Sequence, residues 1–221
     1  MHPAQRQPVG RLAAEQAGHP GHGAQLDGAP QAEPNRLRFV SGKRRKLWNR
    51  NVVALGLASG FMEPLESTSI HLIQAGISKL IALMPDNTFN KAERDTYNRL
   101  TAMQFEQIRD FIILHYHVTR RRDTPFWRAC AELDIPASLL HLIELFAQTG
   151  RVFRVPNELF AENSWIQVML GQGILPRQHH PVADLMGDAE LSAFLGGIRQ
   201  TVDRTCQQLP THQAYLRQYC P

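Results

Sequence analysis

The chain has 221 residues, 43% of them hydrophobic, with a formal net charge of +4 at pH 7, so it is long and apolar enough to bury a core as one domain or as one large and one small. Its mild basicity by itself points to neither a nucleic-acid binder nor a membrane binder. The runs Lys43-Arg44-Arg45-Lys46 and Arg120-Arg121-Arg122 are short, carry no interleaved aromatics and read as solvated faces. Cys130, Cys206 and Cys220 are an odd, widely spaced set without CxxC, which argues against a disulfide framework or a structural zinc site and fits a reducing, cytoplasmic setting. No run of about 18 apolar residues suggests a membrane span, and the N-terminus lacks the apolar core of a signal peptide.

Residues 1–25 are rich in Ala, Gln, Gly, His and Pro, contain no aromatic and no Ile, and are expected to be disordered because they cannot bury enough apolar surface to offset ordering entropy. Residues 36–40 alternate charged and apolar side chains, which suits a strand. Ser41-Gly42 reads as a turn. Residues 52–55 are a short apolar run of the kind found in a buried strand, which would ordinarily pair within a parallel sheet. The stretch 56–74, GLASGFMEPLESTSIHLIQ, then reads as a glycine-rich turn leading into a helix. Gly56 and Gly60 permit backbone conformations and close approaches that a side chain would forbid. Pro64 suits a turn or a first helical position. Ser67, Thr68 and Ser69 are capping types, and a helix starting there would aim free N–H groups at an anion or a phosphate-bearing cofactor. Spacing alone favours an ordinary capped helix with a polar loop.

Past residue 70 the chain reads as overwhelmingly helical. Ile70, Ile73, Ile77, Leu80, Ile81 and Met84 follow helical spacing until Pro85. Asp86, Asn87 and Asn90 offer a cap for a long helix over 91–117. Thr124-Pro125 opens another through about residue 132, and Pro136 opens one that ends at Gly150. Residues 151–155 suit a short extended piece. Asn157 is a candidate cap for a helix carrying Leu159, Trp165, Val168 and Met169, closed by Gly171-Gln172-Gly173. A loop over 174–188 precedes a long helix over 189–208 and a short one over 211–219. His71, His115, His117, His141, His179 and His180 form no i, i+4 pair with an acidic partner, so no metal site is expected. His115 and His117, two apart on a helix, face different directions.

The string Phe61-Met62-Glu63-Pro64-Leu65-Glu66-Ser67-Thr68-Ser69-Ile70-His71 resembles the signature of the flavin-dependent tryptophan halogenase family. Trp48-Asn49-Arg50-Asn51, His115-Tyr116-His117 and Asp123-Thr124-Pro125-Phe126-Trp127 extend the likeness, which runs from about residue 26 to the C-terminus and corresponds to the C-terminal part of that family. The resemblance implies that reduced FAD, oxygen and a halide ion generate hypohalous acid, which reaches an electron-rich aromatic substrate such as an indole. It also implies a flavin reductase as the source of reduced FAD. Residue by residue, it implies Glu66 as the carboxylate at the electrophile and the substrate, and Ser67 as the link between flavin and substrate sites. Thr68 and Ser69 would hold the halide through their backbone N–H groups. Leu57 and Ile70, with Ser67, would line the flavin, and Trp165 would wall the substrate pocket. A plain core tryptophan is the alternative for Trp165, and a structural role in the turn is the expectation for Glu63. Arg154 and Phe160 do not reproduce the tyrosine and acidic pattern that grips free tryptophan.

The family's G-x-G-x-x-G turn, its W-x-W-x-I-P motif and its catalytic lysine have no counterpart in this sequence, and Lys79 lies in helical context after the signature. The expected fold class is therefore mainly α, with a helical substrate-side region preceded by a short strand–turn–helix remnant of an α/β FAD-binding fold. The expected organisation is a non-family N-terminus over 1–25, the signature region over 26–70 and the helical region over 71–221. Such a part is expected to be inactive without the N-terminal half, and to be poorly soluble or to associate with a partner. A shifted reading frame or an internal start would explain the low-complexity beginning. The competing reading is a non-catalytic helical module that binds a small aromatic ligand or a protein partner near Trp165. Neither reading involves nucleic acid or membrane.

Overall fold

Four two-residue strands and seven α-helices make up residues 41–86 and 90–220, the part that this computed structural model describes. The expectations for residues 1–25 and 36–40 lie outside the described residues. Strand β1 (Gly42–Lys43) pairs antiparallel with β4 (Gly60–Phe61), and β2 (Trp48–Asn49) pairs antiparallel with β3 (Val52–Val53). Gly60 is demanded by the first ladder: a Cβ there would meet the Gly42 carbonyl oxygen at 2.6 Å. Gly56 opens a 3-10 turn, Gly56–Ala58, with φ +58, a left-handed conformation that glycine adopts without strain.

The apolar run at 52–55 is not a buried parallel strand. Its first two residues fold back onto Trp48–Asn49 across Arg50-Asn51, with Arg50 at φ 55, and Val52 is 62% exposed. A short apolar run carries no information about its pairing partner, and here a two-residue turn decided it.

Helix α1 (Ser69–Ala82) follows the signature. Helix α2 (Lys91–His117) begins where the Asn90 side chain accepts the Ala92 N–H. In α3 (Pro125–Ala131) the Thr124 hydroxyl accepts the Trp127 N–H, and α4 (Ala137–Thr149) ends at Gly150. Helix α5 (Glu162–Gly171) starts four residues later than the Asn157 cap would place it, with Ala161 as its N-cap. Asn157 sits at φ 63 in a turn where the Glu158 carboxylate accepts the Val155 N–H, so the chain reverses before the helix can begin. Residues 151–155 pair with no strand among the described residues.

Helix α2 is the axis of the core because its C-terminal half is buried on most sides, at Phe105, Ile108 and residues 110–114. One side packs Tyr97, Ile108 and Ile112 with Trp48 and Met62; the other packs Phe111 and Leu114 with Leu139, Phe146 and Trp165. Burying an aliphatic or aromatic side chain of this size is worth about 1.5–3 kcal/mol, so these residues hold the first unit together. Asn98 stitches the β2–β3 hairpin to α2: its Oδ1 accepts the N–H groups of Leu47 and Trp48 at 2.7 and 2.8 Å, and its Nδ2 donates to the Trp48 carbonyl at 2.8 Å.

The first unit ends at Arg177. The second, Gln178–Pro221, consists of a 3-10 turn (Pro181–Leu185), α6 (Asp188–Gln208) and α7 (His212–Tyr219). Leu191, Phe194, Leu195, Ile198 and Val202 recur along α6 at helical spacing and are exposed. Among the described residues no helix is long and apolar enough to cross a membrane.

Candidate functional site

The signature loop leaves β4 at Met62, whose buried side chain anchors it, and enters α1 at Ser69. Between them the Ser67 N–H donates to the Pro64 carbonyl at 2.9 Å, closing a turn in which Ser67 takes a left-handed φ of 53. The Leu72 N–H donates to the Thr68 carbonyl at 3.0 Å, the first bond of α1. Thr68 is the N-cap, buried, and makes no side-chain capping bond. The first N–H groups of α1 are therefore left uncapped by side chains, at an end where the helix dipole favours negative charge. Leu57 and Ile70 stand open beside this end, 79% and 69% exposed.

Two consecutive residues in the last turn of α2 hold the loop's two carboxylates. Tyr116 Oη donates to Glu63 Oε1, and His115 Nε2 lies 3.1 Å from Glu66 Oε1. Burial first, and then the Glu63 carboxylate, push the Tyr116 phenol far above its ordinary pKa, so it stays a donor. The same burial-then-Glu63 order raises the Cys130 thiol. Tyr116 stacks on Trp127 at 6.0 Å, and Phe126 meets it edge-on. Glu63, for which a structural role in the turn is expected, is thus held through Oε1 by Tyr116.

Behind His115 lies an aromatic layer. His115 Nδ1 is 2.8 Å from the Phe111 carbonyl oxygen, and its ring meets the Phe111 ring edge-on at 4.8 Å. Phe111 stacks on Phe160 at 3.8 Å and meets Trp165 at 4.7 Å. Glu66 and Trp165 are thereby joined through His115 and Phe111. Trp165 is only 2% exposed and belongs to the core cluster, where α5 turns it inward onto α2. Beside it, burial raises the Glu158 carboxyl, against the opposing pull of the Val155 N–H and the Trp165 indole. Arg154 donates to the Glu158 carbonyl and so serves the loop.

Lys79 lies on α1 away from the loop. It donates to Gln104 Oε1 at 2.7 Å, which turns the Gln104 amide nitrogen toward His71 Nε2 at 2.8 Å. A cavity of about 170 Å³ opens against Lys79, Leu100, Met103 and Gln107, and no residue of the signature loop lines it. Among the described residues no group of three or more His, Cys, Asp or Glu is placed to hold a metal ion, and the three cysteines are free.

The structure therefore brings Glu66, Ser67, Thr68, Ser69, Ile70 and Leu57 to one end of α1, and leaves Trp165 behind them in the core. Sequence reasoning missed the roles of His115 and Tyr116. Their one signal was that both lie in a stretch resembling the same family as the loop they hold.

Comparison with known proteins agrees with this geometry. The family model described as Tryptophan halogenase matches residues 13–188. The chain is 33% identical over 203 residues to tryptophan 6-halogenase ThaL of Streptomyces albogriseolus, covering 84% of this chain and 38% of that protein. Among solved structures it is similar to Xcc4156, a flavin-dependent halogenase from Xanthomonas campestris, with 59% identity and a TM-score of 0.82 over 89% of this chain and 40% of that one. It is also similar to BrvH, a flavin-dependent halogenase from Brevundimonas sp. BAL3, with 42% identity and a TM-score of 0.82 over 88% of this chain and 39% of that one. The chain thus spans about two fifths of the length of these relatives. A family match that takes in most of the chain, together with the signature loop and the helices that hold it, shows that the chain belongs to the tryptophan halogenase family.

Proposed function

We propose that this chain supplies the carboxylate-bearing, substrate-side part of a flavin-dependent halogenase that adds chloride or bromide to an electron-rich aromatic ring such as an indole. The observation that carries the reading is the loop itself: Glu66 is held at the mouth of α1 beside N–H groups that no side chain caps. Those N–H groups suit a halide, and exposed Leu57 and Ile70 offer an apolar wall suited to the edge of a flavin ring. The residues present fit one side of a flavin site; a phosphate-cradling glycine motif is not among them. Reduced FAD, with oxygen, would supply the oxidising equivalent that turns halide into hypohalous acid.

In this reading Glu66 stabilises the positive charge that develops on the attacked ring and accepts the proton the ring releases, as a fixed carboxylate can. Ser67, in its left-handed turn, sets the spacing between Glu66 and the Thr68–Ser69 backbone. The reaction depends on the rest of the family fold, and the chain alone is inactive.

The test is halogenation of indole by the full chain completed with the flavin-binding portion of a relative, supplied with FAD, a flavin reductase and halide. Product is expected from the completed protein, with Glu66→Gln lowering the rate by about 100-fold. An unchanged rate in Glu66→Gln would sink the assignment of Glu66, and product from the chain alone would sink its dependence on the rest. Quenching of tryptophan fluorescence by indole that Glu66→Gln leaves unaltered, without turnover, would favour a binding module instead.

A further inference from the structure

His115 does more than lie beside a surface carboxylate. Its ring is pinned on two sides before it reaches Glu66: Nδ1 faces the Phe111 carbonyl oxygen at 2.8 Å, and the ring edge rests on the Phe111 ring at 4.8 Å. A carbonyl oxygen only accepts, so Nδ1 carries a proton and Nε2 is the atom left for Glu66. Glu66 Oε1 lies 3.1 Å from that Nε2, within reach of a hydrogen bond when Nε2 also carries a proton. Glu66 Oε2 has no hydrogen-bond partner among the described residues, and the Glu66 side chain keeps 34% of its surface open.

The next residue, Tyr116, holds Glu63. Successive residues on a helix diverge by about 100°, so the two side chains grip the loop from different directions. Glu63 fixes where the loop lies, and His115 fixes which way Glu66 turns.

We propose that His115 is a positioning residue for Glu66: it takes Oε1 and leaves Oε2 as the one oxygen turned to the open side, where the positive charge of an attacked ring would develop. This rests on the halogenase reading given above. An exposed, freely rotating ion pair would contribute little. A pinned imidazole instead removes the rotational freedom of the carboxylate before the substrate arrives, and small misplacements of a reacting group are costly.

The test has two readouts. In the chain as it stands, ring ¹⁵N–¹H spectra of labelled histidine should show a His115 Nε2 signal that moves in Glu66→Ala while the Nδ1–H signal stays. Identical spectra in wild type and variant overturn the contact. In the completed halogenase, His115→Leu should lower kcat by about 10–100-fold with KM unchanged, and His115→Gln, whose amide can still donate, should recover most of it. Equal kcat in wild type and His115→Leu overturns the positioning role. If the spectra behave as expected and the completed wild-type protein makes no product, the halogenase reading falls, and the positioning role falls with it while the contact stands.

Discussion

At the scale of single residues, Asn98 carries more than its size suggests. It satisfies two N–H groups and one carbonyl of the β2–β3 hairpin at once. Asn98→Ala leaves these part-buried groups unpaired and is expected to cost about 2–3 kcal/mol in urea unfolding, while Asn98→Asp, which keeps the acceptor, costs less. His71 sets a pH response. Burial, and secondarily Lys79, lower its pKa, and its Nε2 accepts from Gln104 only while neutral. Below about 6.5 the unfolded chain takes up a proton that the folded chain resists, so stability falls with falling pH between that value and the lowered folded one. His71→Gln should flatten this slope in melting temperatures taken from pH 7 to pH 5; an unaltered slope would place the titration elsewhere.

At the scale of elements, the β1–β4 ladder sets the entry of the signature loop. A Cβ at Gly60 would come within 2.6 Å of the Gly42 carbonyl oxygen and 2.8 Å of Lys43 Cα, both backbone atoms with little room to yield. Gly60→Ala should destabilise the first unit by about 1–3 kcal/mol and loosen the loop, seen as faster amide exchange at residues 61–68. The helices themselves were legible from local chemistry: Asn90, Thr124 and Thr211 cap as their types predict, and the 3.6-residue period locates α1 and α2. Asn157 has the chemistry of a cap too, but a left-handed backbone and the Glu158 carboxylate turned it to loop use. The residue type at 157 does not by itself distinguish those two fates.

For the whole molecule, the most consequential surface is the stripe Ile70, Ile77 and Ile81 along α1, with Met84 just past its end and Leu57 in the 3-10 turn before it, all exposed. Apolar patches of this kind favour association. Concentration-dependent self-association is expected in sedimentation velocity, and Ile77→Lys with Ile81→Glu should reduce it without lowering the melting temperature. Association unchanged by the pair would assign it to another face, such as the apolar stripe of α6 in the second unit.

The sequence by itself determined the helical class, the positions of α1, α2, α3, α4, α6 and α7 to within a few residues, and the family through an eleven-residue string. These are properties of local periodicity, capping chemistry and residue order, and they need no knowledge of distant neighbours. Only the tertiary structure decided that residues 52–53 fold into a hairpin, that Trp165 lies in the core, and that His115 and Tyr116 reach back about fifty residues to hold Glu66 and Glu63. Each of those depends on which surfaces meet when α2 is buried, and hydrogen-bonding side chains give no sign of a partner so far along the chain.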